Sequence, residues 1–342
     1  MTPGRDRGRA PSIDDVARLA GVSPQTVSRV SRGSSQVREA TQAKVLRAME
    51  QLGYSPNHAA RALRNGSLKL IGVLTQQVER TGEAFTTSGV LDAANELGYA
   101  VILTQVKHPE ADEVHDAIRR LSSQPIDGLV IVQSGRATHQ HMGLPAGLAV
   151  ASSDSALVGY YPSASADQVQ GVRDAVGHLL GLGHRTVHHV AGPSDSQSGA
   201  VRLAAWRRRL EEEGVRPPEP LPGGWSPDDG YRAGLKLADD PDVTAVFCAN
   251  DEVALGLIRA MHEKGRRVPE DVSVVGFDGL PVAGYSFPAL TTVRQDFQRA
   301  GRTMVDLIAE QLDGGPRDGG RHVIIPTELV IRASTAPPKG VR

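Results

Sequence analysis

The chain has 342 residues, too many for one small domain. Its formal net charge is only −1, yet residues 1–70 carry 12 Lys and Arg against 5 Asp and Glu, while the remainder carries 26 against 34. No apolar run approaches the ~20 residues of a membrane span. Residues 1–11 are Arg-rich and lack the apolar stretch of a secretion signal, and the single Cys248 allows no internal disulfide. The expectation is therefore a cytoplasmic protein with no membrane partner and a polyanion-binding N-terminal end.

Residues 1–11 read as a disordered tail. Ser12 can then cap a helix, with Asp15 three residues on as the acidic partner of a capping box. Ile13, Val16, Ala17 and Ala20 follow at helical spacing on one face. Gly21 ends that helix, Ser23 caps the next, and Pro24 sits in its first turn, where a missing N–H costs nothing. Two short helices joined by a Gly-containing turn are a helix-turn-helix layout. In the second helix Val27 and Val30 face the core, and Pro24, Gln25, Ser28 and Arg29 point outward. Gln can pair with adenine and Arg with guanine in the major groove, and the start of a recognition helix reaches base edges. A third helix is expected over 39–53, with Val45, Leu46, Met49 and Leu52 packing back. Pro56 breaks it. Asn57 can cap a short helix, rich in Ala and bearing Arg61 and Arg64, that is too short to be stable alone in water.

These residues resemble the N-terminal module of the lac/gal repressor family of bacterial transcription regulators. The resemblance rests on Asp15-Val-Ala, on Ala20-Gly-Val-Ser-Pro-Gln-Thr-Val-Ser-Arg29, and on the hinge residues Gly53, Tyr54, Pro56, Asn57, Ala59, Ala60, Arg61 and Leu63. It extends through Arg332. It implies a homodimer on double-stranded, pseudo-palindromic operator DNA. Pro24, Gln25 and Arg29 match base-contacting positions, and Leu63 matches the leucine that wedges into the minor groove. The expected DNA-contacting set is Ser12, Ser23, Pro24, Gln25, Thr26, Ser28, Arg29, Arg32, Asn57, Ala60, Arg61 and Leu63. Ser31 and Arg32 depart from the family's usual Leu-Asn.

From Lys69 on, strands and helices alternate. Strand-length apolar runs lie at 70–74, 100–103, 128–132, 148–151, 187–191, 244–248, 272–277 and 323–325. Helical stretches lie at 86–97, 111–121, 169–182, 200–213, 228–237, 251–264 and 296–312. Continuous apolar strands separated by helices indicate parallel sheets covered on both faces. Their number requires two doubly wound lobes. The expected fold is thus an all-α helix-turn-helix domain (12–56), a hinge helix and linker (57–68), and an α/β two-lobed, periplasmic-binding-protein-like domain (69–335). Its N-lobe would take about 69–165 and 297–322, and its C-lobe about 166–294 and 323–335.

Ligands in such sheets bind beyond the carboxyl ends of the strands, and a cleft between lobes suits a small molecule. Asp154, Asn250 and Asp278 follow apolar strands, Arg202 lies in the first turns of a helix, and Trp225 could offer a flat face to a sugar ring. Caps of the following helix or turn are the alternative role for Asn250 and Asp278. The resemblance implies that Asp154, Arg202, Trp225, Asn250, Asp278, Gln295 and Phe297 stand where the family's sugar-responsive members contact their inducer. On the opposite wall Gln76, Arg80, Gly82 and Thr86 replace small polar and apolar residues, and Glu83 and Ala84 stand where other members carry an aromatic pair. Gln76 completes the expected effector set.

No cofactor and no metal are expected. The 11 His are scattered, and His188 and His189 sit in an apolar strand without Cys or carboxylate at zinc-ligand spacing. No catalytic residue is nominated, and an enzyme is not expected. No Leu heptad follows residue 332, so a dimer is expected rather than a tetramer held by a C-terminal helix. The leading expectation is a transcriptional repressor controlled by a sugar or glycoside. An activator, a corepressor-dependent regulator and a solute-binding protein are the alternatives.

Overall fold

The computed structural model describes residues 11–31, 36–54, 68–106, 111–132, 142–153 and 157–339. The expected tail (except Pro11), Arg32, the hinge 57–67 and Asp154 lie outside them. Contacts divide the chain into two units, Met1–Leu68 and Lys69–Arg342.

The first unit contains α1 (Ile13–Ala20), α2 (Pro24–Val30) and α3 (Glu39–Leu52). Ser12 and Asp15 form the full capping box, and Gly21 closes α1 at φ +67°. The shared core is Val16, Ala17, Val27, Val30, Val45, Ala48 and Met49. Leu46 is not part of it and is half exposed at 50%. One residue along a helix turns the side chain by about 100°, so Val45 and Ala48 share the buried face and Leu46 leaves it.

The second unit builds its first sheet from β1 (Leu70–Thr75), β2 (Ala100–Gln105), β3 (Gly128–Ile131), β4 (Ala149–Ser152), β5 (Ser163–Ala166) and a late strand, β10 (His322–Ile325). The order is β10-β5-β4-β3-β1-β2, all parallel. Alternation along β1 sends Ile71 and Val73 to one face and Leu74 to the other. Ile71 and Val73 pack on α4 (Thr81–Glu96) and α10 (Phe297–Leu312), and Leu74 on α5 (Ala111–Ser122).

The second sheet contains β6 (His188–Val190), β7 (Ala245–Cys248), β8 (Ser273–Asp278), β9 (Thr291–Arg294) and β11 (Glu328–Val330). Its order is β11-β9-β8-β7-β6, parallel except for β11, which runs antiparallel to β9. One face packs on α8 (Pro227–Ala238) and α9 (Asp251–Glu263), the other on α6 (Gln168–Gly181) and α7 (Gln197–Glu212). This is the doubly wound pair of lobes that the strand count requires.

The chain passes between the lobes three times, at 166–168, 294–297 and 325–328. The last crossing lies later than the expected boundary at 322/323. His322–Ile325 pairs with β5, and His322 hydrogen-bonds Ser163 Oγ through Nδ1 at 2.7 Å, so residues 323–325 belong to the first lobe.

Each lobe contains two helices in backbone contact. A Cβ on Gly89 of α4 would lie 2.3 Å from Gln298 O, and one on Gly301 of α10 would lie 2.2 Å from Thr86 O. Neither backbone atom can yield as a side chain can. Gly301→Val is therefore expected to destabilise the protein by about 1–3 kcal/mol through overpacking, read as a lowered urea midpoint at unchanged slope. An unchanged midpoint would show that the two helices can part without cost.

Candidate functional site

In the first unit, Ser23 accepts from Thr26 N at 3.2 Å and pairs with the Thr26 hydroxyl at 2.9 Å, which fixes the start of α2. Pro24, Gln25 and Arg29 are exposed, and Thr26 and Ser28 are half-buried. Ser12 is engaged with Asp15, its hydroxyl donating at 2.6 Å. Of the residues expected to read bases, Pro24, Gln25 and Arg29 are thus open to solvent. Of the expected contact set, Arg32, Asn57, Ala60, Arg61 and Leu63 lie outside the described residues.

In the second unit a cleft opens at the carboxyl ends of both sheets, lined from the first lobe by Arg80, Thr81, Gly82 and Phe297 among others, and from the second by Arg202, Trp225, Asn250 and Asp278. Its floor is organised by Arg202, which is 4% exposed. Nε donates to Gln168 Oε1 at 2.8 Å, Nη1 donates to Ala249 O, and Nη2 donates to Asp278 Oδ1 at 3.2 Å. The guanidinium also lies 3.9 Å from the Phe277 ring centroid. Gln295 Nε2 donates to the same Asp278 oxygen at 2.7 Å, and Gln168 Nε2 donates to Gln295 Oε1 at 2.9 Å. A buried cation needs such complete pairing. Asp278 is held at φ +108°, a conformation a non-glycine residue keeps only where its surroundings impose it.

Trp225 and Phe297 form apolar walls. Trp225 lies against Gly192, where a Cβ would come within 2.8 Å of the ring, and its carbonyl accepts from Asn250 Nδ2 at 3.1 Å. Asn250 Oδ1 meanwhile caps α9 by accepting from Val253 N. Asn250 therefore serves as a helix cap and also positions the tryptophan. Phe297 lies over Gly82, where a Cβ would meet the ring at 3.1 Å.

The structure brings Arg202, Trp225, Asn250, Asp278, Gln295 and Phe297 to one cleft. Gln76 does not join them. It is buried directly after β1, and its backbone N–H donates to Glu83 Oε2 at 2.9 Å. That carboxylate also receives Gln77 N and the Thr75 hydroxyl, which folds the loop inward and brings Arg80 to the cleft instead. Three contributors escaped the sequence reading. Gln168 follows a strand of small polar residues. Thr81 and Glu252 hydrogen-bond each other from opposite lobes, the hydroxyl donating at 2.6 Å.

Beneath the cleft, Asp251 accepts from Leu280 N at 2.7 Å and from the Thr292 hydroxyl. Burial, and after it the charge of Asp278, pushes the Asp251 carboxyl up to about 7 from the ordinary 3.8. Burial likewise pushes Asp278 up to about 6, against the opposing pull of Arg202. Among the described residues no group of three or more His, Cys, Asp or Glu is arranged to hold a metal, and no helix is long and apolar enough to cross a membrane.

A helix-turn-helix unit joined to a two-lobed body with a polar cleft defines the class of ligand-controlled DNA-binding regulators. Residues 12–57 match the bacterial regulatory proteins of the lacI family, and residues 176–335 match a periplasmic binding protein-like domain. The lactose operon repressor of Escherichia coli K12 is 34% identical over 96% of this chain and 91% of its own length. The transcriptional regulator CelR of Thermobifida fusca is 34% identical over 96% and 99%. Among solved structures, a lac repressor dimer bound to operator and the anti-inducer ONPF matches with TM-score 0.85 at 31% identity, over 96% of this chain and all of that one. A CelR–cellobiose complex matches with TM-score 0.71 at 31% identity, over 95% and 99%. The chain belongs to the lacI family of bacterial transcription regulators.

The raised Asp251 carboxyl predicts a pH dependence. The folded protein holds this proton more tightly than the unfolded chain, so the contribution is fully present below about pH 4 and lost as pH rises through about 7. Between pH 5 and 8 the unfolding midpoint of the wild type is expected to fall more than that of Asp251→Asn. Equal slopes would mean that Asp251 is ionised throughout that range.

Proposed function

We propose that the chain is a repressor that binds operator DNA as a homodimer, and that a sugar-like effector held between the lobes alters its operator affinity. The observation that carries this reading is the Arg202–Asp278–Gln295–Gln168 network, which lines the same cleft as Trp225 and Phe297. Charged groups with fixed hydrogen-bond geometry bind hydroxyls strongly and directionally, and an aromatic face suits the apolar side of a pyranose. The sugar ligand of the related CelR complex supports it.

The exposed face of α2 is suited to the major groove, with Gln25 and Arg29 as base readers. A second copy of the chain fits the exposed apolar side chains of the second lobe. Tyr285 and Phe287 are 90% and 98% exposed, and Val282 and Ile331 of the same lobe are exposed too. A monomer rarely leaves such a group to water, and the related lac repressor is a dimer.

Coupling follows from the placement of the network. Gln168 and Gln295 sit at the first two crossings between lobes, and Thr81–Glu252 bridges the lobes directly. An effector that binds one lobe arrangement more tightly than another shifts the population between them. A solute-binding protein would have the cleft without need of a recognition helix.

Arg29→Ala is expected to weaken operator binding by about 1–3 kcal/mol and to relax preference at one base pair. Arg202→Ala is expected to bind operator as the wild type does, yet show no change in affinity when an effector from a sugar screen is added. Gel-shift titrations of both variants test this. An Arg202→Ala protein that still responded would remove the network from effector binding.

A further inference from the structure

Among the described residues, the charged side chains that line the cleft divide into those that hydrogen-bond other protein groups and one that does not. Glu83 receives a hydroxyl and two backbone N–H groups. Asp278 receives Arg202 and Gln295, Asp296 caps α10 through Arg299 N at 2.9 Å, and Glu252 receives Thr81. Arg202 is engaged on Nε and on both terminal nitrogens. Arg80 differs. Its nearest carboxylate atom among the described residues is Glu83 Oε1 at 3.8 Å from Nη1, too far for a hydrogen bond. Its side chain is only 28% exposed and lines the cleft on the first lobe, opposite the Arg202 network.

A guanidinium offers five N–H donors in a planar fork. The Arg80 side chain lines the cleft, where a ligand can take its donors in place of water. A carboxylate or phosphate fits the fork in bidentate fashion, at hydrogen-bond distance rather than 3.8 Å. Each of the described acids that line the cleft already accepts at least one hydrogen bond from the protein. The start of α4, where Arg80 is the capping residue and supplies no side-chain cap, adds positive partial charge on the same side.

We infer that Arg80 determines effector specificity, and that the effector is an acidic sugar: a hexose-sized ring held by the Arg202 network and carrying a carboxylate or phosphate toward Arg80. This rests on the sugar-like reading of the cleft given above.

Calorimetric titration of the full chain with matched pairs tests it: glucose against glucuronate, galactose against galacturonate, and glucose against glucose 6-phosphate. In the wild type at least one acidic member is expected to bind about tenfold or more tightly than its neutral counterpart, the range of a charge-assisted bond. Arg80→Gln is expected to bring that ratio close to one, and Arg80→Lys to restore part of it. The carboxylate and phosphate pairs distinguish the two sources of charge. Neutral sugars that bind as well as their acidic partners in all three pairs, or an acidic preference that survives Arg80→Gln, would overturn the role of Arg80 and leave the sugar site standing. If no sugar of either kind bound, the sugar reading and this inference would fall together.

Discussion

A guanidinium buried to 4% exposure organises the floor of the cleft in the second unit. Arg202 can be buried only if its donors are filled, and the acceptors come from places far apart in the chain: the start of α6, the end of β7 and the end of β8. Losing Asp278 would leave an uncompensated charge in a low-dielectric site, and losing either neutral acceptor would leave a buried donor unfilled. The same requirement explains the unusual backbone of Asp278, whose carboxylate is fixed from two sides by Arg202 and Gln295. What results is a rigid row of polar groups at the bottom of a cleft, organised before any ligand arrives.

That network is also mechanical. Gln168 ends the first crossing between the lobes and Gln295 lies within the second, so groups that line the cleft are also groups at the crossings. Within each lobe the structure resists deformation. Gly89 and Gly301 bring α4 and α10 into backbone contact, and a Cβ on Gly256 of α9 would lie 1.8 Å from Pro227 O. Close-packed elements of this kind move as bodies, and motion concentrates in the connecting segments. The first unit joins the first lobe through residues 68–70, so a rotation of that lobe carries the attachment point of the DNA-reading helices with it.

The sequence made some of this legible and not the rest, for physical reasons. Caps announce themselves: Ser12 with Asp15, and Ser23 before Pro24, fix α1 and α2 within a residue. Long apolar runs did the same for β1, β7 and β8. The strand Ser163–Ala166 reads Ser-Ala-Ser-Ala, without the branched or aromatic residues that mark a strand, and is a strand because its neighbours on both sides pair with it. Gln168, which depends on that strand for its place, was lost with it. Gln76 looked like a cleft residue by position, but one carboxylate, Glu83, pulls the loop around it and presents Arg80. The Thr81–Glu252 contact joins residues 171 apart in sequence and has no local signature. Asp278 is legible as a polar residue following an apolar strand, Arg202 as a cation in the first turns of a helix and Trp225 as a loop aromatic, and the family resemblance places them together.

In the proposed repressor the cleft and the DNA-reading face are two ends of one equilibrium. Linkage makes it measurable, because a ligand that changes operator affinity by some factor must have its own affinity changed by operator in the same ratio. The direct measurement is a titration of the protein with an effector selected by thermal-shift screening, with and without saturating operator duplex. The account predicts two different dissociation constants, whose ratio equals the change in operator affinity caused by the effector. Identical constants in the two titrations would contradict it.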